Sequence, residues 1–531
     1  MGTGPASGRT GRLRPPASLA ALGLLAGAAA ALPAAYLLIL VAGDVDGAFT
    51  TVLTGRTAVL ALETLALTLA VGATATAIGV PLAWLTTRTD LPWRRLWVTL
   101  TTLPLVIPSY IGAYLLVSAL GPVGLLRDVL GVERLPEIYG FFGAWLALSL
   151  FTYPLVLLSV RAALLRLDPQ LEDAARAMGR SRRQTFNTVV LPQLAPAIAT
   201  GALLVALYVV SDFGAVSIMR FDSLTREIYV TYQSSFDRSS AASLGLLLVL
   251  ITIALLAGQS WVRGSLRYHR ASPGTARPAP TIPLGRWRLP AIAFCSGVTF
   301  LALILPLGVL IYWTSKGLSG DGLAAGDLLS NGTNSLLAAS GAALAAAVLA
   351  VVIAVLAVRF RGRMTTTLER ISYAGYALPG VVVALSLVFF GIRVAPPLYQ
   401  TLAMLVFALT IHYLPLAVGS VGTSLLQVPP RIEEAARGLG RGPLEVFRTI
   451  TTPLVAGGIG AGMALVFLHA LKELPATLLL APIGFETLAT DIWRQSTRGF
   501  FEAGALPTIL LLVVAAPPLY ALAGRGTPPS S

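Results

Sequence analysis

Long apolar stretches alternate with short polar ones along nearly the whole chain. The apolar runs fall at residues 18–41, 58–86, 96–120, 138–164, 194–218 and 244–261, and again at 289–313, 335–358, 371–392, 399–426, 457–481 and 503–522. A helical crossing of a bilayer needs about 20 predominantly apolar residues. Because hydrocarbon offers backbone groups no partners, helix is the form expected of runs this long. The pattern predicts an all-α membrane protein with about twelve transmembrane helices, six on either side of a basic, Pro-rich connector (Arg263, Arg267, Arg270, Arg277, Arg286, Arg288). The run 18–41 follows a tail bearing Arg9, Arg12 and Arg14, a flank that a secretory signal also has. Its length exceeds the 7 to 15 residues or so of a signal core, so a retained first span is expected.

The polar stretches repeat as well. Residues 171–192, LEDAARAMGRSRRQTFNTVVLP, align at a shift of 261 with residues 432–453, IEEAARGLGRGPLEVFRTITTP. Identical pairs include Glu172/Glu433, Ala174/Ala435, Ala175/Ala436, Arg176/Arg437, Gly179/Gly440 and Pro192/Pro453. At a shift of 271, Arg88 matches Arg359 and Pro108 matches Pro379, a longer loop around residues 121–139 absorbing the difference. The expected organisation is a tail (1–17), a first repeat (18–262), a linker (263–288), a second repeat (289–524) and a short C-terminal tail (525–531). Tandem repeats with even numbers of spans are parallel, related by an axis along the membrane normal, and place a pathway between the halves.

Composition agrees with a membrane setting: 56% of residues are hydrophobic and only 12% charged, against about 25% in soluble domains. The net charge of +14 could suggest a nucleic-acid partner, but the arginines sit in short loops between apolar runs, as loops on the cytoplasmic side do. Arg88, Arg94 and Arg95, then Arg161, Arg166, Arg176, Arg180, Arg182 and Arg183, then Arg359, Arg361, Arg363 and Arg370 fall in alternate loops. The intervening loops carry Asp44, Asp46, Asp321 and Asp327. Both termini and both repeated polar segments are therefore expected in the cytoplasm, and the lone Cys295 excludes an intrachain disulfide.

The repeated segment carries signals of its own. Asp168-Pro169 and Pro429-Pro430 favour a helix start, acids follow in the first turn, and Gly179 and Gly440 suit a left-handed stop. A short helix, a turn and a second helix leading into the next span are expected. Small Ala and Gly faces would admit another surface, and exposed carboxylates would meet basic groups there; the alternative is a helix that only braces the bundle. The pattern resembles the EAA loop of binding-protein-dependent ABC importer permeases, and two copies resemble the fused permeases of that family, with the type I importer fold. The resemblance implies that Glu172, Asp173, Ala174, Ala175 and Gly179, with Glu433, Glu434, Ala435, Ala436 and Gly440, couple the chain to two copies of a cytoplasmic ABC ATPase. Asp173 stands where the family usually has Glu, as at Glu434. The chain has no Gly-rich phosphate loop; its lysines are Lys316 and Lys472. No cofactor is expected on this chain, ATP and Mg belonging to the partner, and no catalytic residue is expected.

At the same shift of 261, Ser211-Asp212 aligns with Lys472-Glu473. Eighteen residues from Leu194, at about 1.5 Å each, put Asp212 roughly 27 Å along the span, near its far boundary. Acids at such depth face water or a partner by default, so Ser211, Asp212, Lys472 and Glu473 are candidates for the outer gate, attracting a trivalent cation or gripping a binding protein; helix capping is the plainer alternative. The strings SDFGAVS and KELPATLLLAPIGFETLA resemble those of ferric-iron importer permeases. That likeness implies iron as cargo and an extracytoplasmic iron-binding protein as partner; relatives for thiamine, phosphonate or polyamines share the architecture. Glu63 and Asn334, matched at a shift of 271, are read as helix caps, and His412 as a buried hydrogen-bonded histidine. No resident metal site is expected. The segments 220–240 (Tyr229, Tyr232, Phe236) and 484–502 (Trp493, Phe500, Phe501) read as amphipathic ledges for the binding protein. The reading is an inner-membrane permease working by alternating access; its rivals are a proton-coupled secondary transporter and a membrane-embedded enzyme.

Overall fold

The computed structural model describes residues 15–122, 124–131, 137–234, 238–265, 281–318, 325–360 and 362–524. Residues 1–14 of the expected tail 1–17, the tail 525–531, most of the linker, and Phe236, Asp321 and Arg361 lie outside the described residues, and Ala17 already begins the first helix. Among the described residues 11 helices are long and apolar enough to cross a membrane, from Ala17–Ala42 and Gly55–Arg88 to Pro443–Leu471 and Phe501–Leu522.

The twelfth expected crossing departs from a single helix. The run 371–392 divides into Arg363–Ala377 and the 14-residue helix Gly380–Arg393. Its counterpart, the run 96–120, divides into Arg94–Thr102, a tight turn Leu103–Val106, and Ser109–Leu120. Both breaks fall at a proline. A residue before proline is pushed out of the helical region, and Ile107 (ψ 118°) and Leu378 (ψ 130°) are extended accordingly. Pro108 (φ −56°, ψ 144°) and Pro379 (φ −56°, ψ 142°) then open the next helix in matching conformations.

A second pair of breaks ends the runs that follow the polar segments. The helices Leu191–Ser211 and Thr452–Leu471 stop short of residues 218 and 481, and short helices Gly214–Ile218 and Pro475–Leu480 take over. At their other ends they continue back through one wide π turn each, Phe186–Val190 and Phe447–Thr451, at positions matched by the shift of 261. Glu63 and Asn334 do not cap helices: they lie inside Gly55–Arg88 and Ala325–Arg359, and Thr54 caps the first of these by accepting from the Thr57 N–H.

The chain forms two compact units that interleave the sequence halves. One gathers the described residues of Met1–Ile39, Leu329–Ala489 and Val513–Ser531; the other gathers those of Leu40–Leu328 and Thr490–Leu512. In the first, the opening helix packs on later ones, with Tyr36 edge-on to Phe390 at 5.9 Å. In the second, the segment after the linker returns to the earlier helices, where the Trp313 indole N–H donates to the Ser118 carbonyl at 3.3 Å. Within each unit helices meet at small residues, which lets dispersion act between backbones where no hydrophobic drive exists. A Cβ on Gly201 would lie 2.7 Å from the Val156 Cα, and one on the counterpart Gly462 3.0 Å from the Ala417 Cα.

Candidate functional site

Each repeated polar segment folds into a nine-residue helix, Pro169–Ala177 or Pro430–Gly438, a glycine turn and a second short helix, Arg182–Thr185 or Pro443–Val446. Asp168 caps the first copy by accepting from the Gln170 N–H at 3.0 Å. Gly179 (φ 83°) and Gly440 (φ 87°) adopt the left-handed conformation that glycine takes without steric cost. The stop is hydrogen-bonded alike in both: Arg180 N–H to Ala175 carbonyl and Arg441 N–H to Ala436 carbonyl, each 3.2 Å. Arg180 then donates to the Thr188 hydroxyl at 2.7 Å, and Arg441 to the Thr449 hydroxyl at 3.2 Å, pinning turn to following helix.

The two acids of each segment part ways. Asp173 and Glu434 are exposed, as are Ala174, Ala435, Gly179 and Gly440. Glu172 and Glu433, expected to be exposed, are instead buried and paired with arginines from the ends of long helices. Arg88 donates to Glu172, while Arg359 reaches Glu433 at 2.9 Å through Nη2 and 3.2 Å through Nε. The cause is periodicity: position 172 lies one turn from Ala175, and 433 one turn from Ala436, the buried face of each helix. A buried carboxylate is tolerated when paired and hydrogen-bonded, and Glu433 also accepts from the Thr451 hydroxyl at 3.1 Å. The first clasp is leaner. Position 190 is a valine where the second repeat has Thr451, and Arg88 Nε and Nη1 are buried with no hydrogen-bond partner among the described residues. The outward face carries matched exposed apolar residues, Leu171 and Met178 in one copy, Ile432 and Leu439 in the other.

About 30 Å of helix, 21 residues at roughly 1.5 Å each, separates the first segment from Asp212. Asp212 and Glu473 are each 8% exposed and stand at the matched helix breaks. Asp212 Oδ1 accepts from the Ala215 N–H at 2.8 Å, and Oδ2 from the Ser109 hydroxyl, the first residue after Pro108. Glu473 Oε1 accepts from the Ala476 N–H at 3.3 Å, and Oε2 from the Tyr413 hydroxyl. Where Ser109 stands in the first repeat, the second has Gly380, and a Cβ there would lie 2.8 Å from Glu473 Oε1 and 3.6 Å from His412 Nε2. The longer acid fills the space the glycine leaves. Asp212 thus joins two helix starts, those of Gly214–Ile218 and Ser109–Leu120, whereas Glu473 joins the start of Pro475–Leu480 to the middle of Leu402–Leu426 through Tyr413; a helix start, with its unsatisfied N–H groups and dipole, favours negative charge. Ser211 and Lys472, beside these acids, are half-buried. Among the described residues no group of three or more His, Cys, Asp or Glu side chains is placed to hold a metal ion.

Sequence reasoning did not name Arg88 and Arg359 as site residues, nor Ser109, Gly380 and Tyr413. The arginines left a signal, a matched pair at a shift of 271 beside acids matched at 261; the others left none.

Comparison with known proteins places these features. A model of the "Binding-protein-dependent transport system inner membrane component" family matches residues 75–268 and 346–523, once in each repeat. The chain is 34% identical over 464 residues to a Haemophilus influenzae protein named Fe(3+)-transport system permease protein FbpB 2, covering 86% of this chain and 88% of that one. It is 24% identical over 467 residues to the ferric transport system permease protein FbpB of Actinobacillus pleuropneumoniae, covering 84% and 68%. A shorter likeness, 31% over 196 residues, covers 35% of the chain and 83% of the molybdenum transport system permease protein ModB of Escherichia coli K12. The matched segments take in both polar loops and the buried acids Glu172, Asp212, Glu433 and Glu473, and the chain belongs to the family of binding-protein-dependent transport system inner membrane components.

Proposed function

We propose that this permease imports ferric iron, received from an extracytoplasmic binding protein and driven by two cytoplasmic ATPase subunits that dock on the loops at 171–192 and 432–453. The observation that carries the docking is the matched face on each loop: an exposed acid, small alanines and a pair of exposed apolar side chains, clasped from behind by Arg88 or Arg359. Exposed apolar residues grouped on a polar end of a membrane protein call for a partner surface. The clasp links that surface to the long helices Gly55–Arg88 and Ala325–Arg359, so a push on the loop is transmitted to a span rather than lost in a hinge. The arginine-rich loops support a cytoplasmic position for this end and for both termini. The two halves of the permease, each built mainly from one repeat, then rock in alternating access. Asp212 and Glu473, with Ser211 and Lys472, hold the outer gate as pins of its broken helices; the chain performs no covalent chemistry.

Iron as cargo is supported by the names of the relatives that match along most of the chain. The shorter likeness to a molybdenum transport permease supplies the control. The full chain is reconstituted in proteoliposomes with the ATPase and binding protein of its own transport system and given radioiron or radiomolybdate. Iron accumulation with no molybdate accumulation is expected; the reverse would overturn the cargo assignment and leave the docking assignment standing.

A further inference from the structure

On the far side of the membrane from the loops, under the orientation just proposed, a cavity of about 220 Å³ opens between the first repeat and the segment Leu488–Arg498. Arg220, Arg226, Tyr139, Tyr229, Trp493 and Ser496 line it, all within one compact unit. Tyr229 and Trp493 are counterparts at a shift of 264 and meet edge-on at 6.1 Å, with Phe213, next to Asp212, tilted against Tyr229 at 4.9 Å.

Three observations make the pocket a site built for a carboxylate. Arg220 is non-glycine yet left-handed (φ 52°), at the turn that closes Gly214–Ile218, while its counterpart in the second repeat is Gly484 (φ 78°). An arginine held where glycine is at ease is strain kept for position. Its guanidinium lies 4.6 Å over the Tyr139 ring and is paired with no acid among the described residues. Second, Ser496 is 8% exposed and its hydroxyl has no hydrogen-bond partner among the described residues; the Trp493 indole N–H is likewise buried and unpartnered. A buried polar group left unpaired in its free state calls for a ligand or water. Third, the donors are all of one kind: two guanidiniums, a hydroxyl and an indole N–H. No carboxylate is among the described residues that line it, and the exposed Asp222 outside it pairs with Arg226.

We propose that this pocket receives an acidic side chain of the extracytoplasmic binding protein, which docks by placing its carboxylate between Arg220 and Arg226 with its stem against Tyr229 and Trp493. Arginine, tyrosine and tryptophan around a desolvated centre are the composition of an interface hot spot, and the carboxylate matches the fork of a guanidinium. The inference rests on the proposed orientation and on no particular cargo.

The test uses the full chain with its ATPases in lipid nanodiscs and the transport system's own binding protein as probe, its Kd measured at low and at high salt. Arg220→Gln with Arg226→Gln is expected to weaken binding about thirtyfold or more, with a smaller loss for Arg220→Lys with Arg226→Lys and a moderate loss for Ser496→Ala. Changing one surface Asp or Glu of the binding protein to Ala should produce no further loss on the Gln background. An unchanged Kd in properly assembled Gln variants would overturn the proposal. So would saturable binding of glutarate alone, abolished in the Gln variants while the binding protein's Kd stays the same, since the pocket would then serve a small free carboxylate. A binding protein loaded with a solute other than iron that docks with the same arginine dependence would refute the cargo reading and support this one.

Discussion

Asp212 and Glu473 differ by one methylene, and their surroundings differ to match: Ser109 donates to the shorter acid, whereas Gly380 makes room for the longer one and Tyr413 donates instead. Gly380→Ser is therefore expected to cost about 1–3 kcal/mol by overpacking against the carboxylate. Combined with Glu473→Asp, which recreates the first repeat's arrangement, it should recover most of that loss; thermal unfolding of the purified variants reads both. A double variant no more stable than Gly380→Ser would show that the carboxylate does not pin the break. Glu433→Ala leaves the half-buried Arg359 without its carboxylate, for an expected loss of about 2–3 kcal/mol, and Arg359→Ala with Glu433→Ala should lose less than the sum of the single changes. Strict additivity in the same unfolding measurement would remove the clasp. The acids were legible in the sequence because charge within an apolar run is conspicuous. Their partners were not, because serine, glycine and tyrosine are ordinary there and the contacts join residues 103 and 60 positions apart.

At the scale of elements, the loop helices and glycine stops were readable from local rules alone, since caps, proline starts and left-handed turns depend on neighbouring residues. Average hydropathy did not show that the runs 96–120, 194–218, 371–392 and 457–481 are broken, because the residues flanking each break are apolar; Pro108 and Pro379 mark two of the breaks, and Asp212 and Glu473 stand at the other two. The same blindness made Glu63 and Asn334 look terminal when the helices holding them begin well before. The outward face of the loops gives a prediction that needs no change in fold. Met178 and Leu439 are 72% and 84% exposed, so Met178→Asp with Leu439→Asp should leave the unfolding temperature within a degree or two of the parent while weakening ATPase binding about tenfold or more, the loss of two apolar contacts at an interface. Undiminished affinity of the purified ATPase for that variant would move the docking surface elsewhere.

For the whole molecule, the repeated sequence and the compact units are different divisions of one chain. The described residues of Met1–Ile39 group with the later helices, and the segment after the linker with the earlier ones. No periodicity reveals such an exchange, since an apolar helix reads alike whichever bundle it joins. The count of crossings was nearly legible, 11 long helices with the broken 14-residue helix Gly380–Arg393 in the remaining place. The central claim is that both loops turn a separate motor's work into transport, and Gly179 and Gly440 test it most directly, because their φ values of 83° and 87° forbid a β-branched residue without reshaping the turn while nothing within 4 Å makes them part of the packed bundle. In proteoliposomes bearing the ATPases and binding protein, Gly179→Val with Gly440→Val should abolish ATP-dependent iron accumulation while the variant remains in the membrane and ATP hydrolysis continues. Accumulation at the parental rate, or accumulation by the parent that ignores ATP and collapses with a protonophore, would contradict the account.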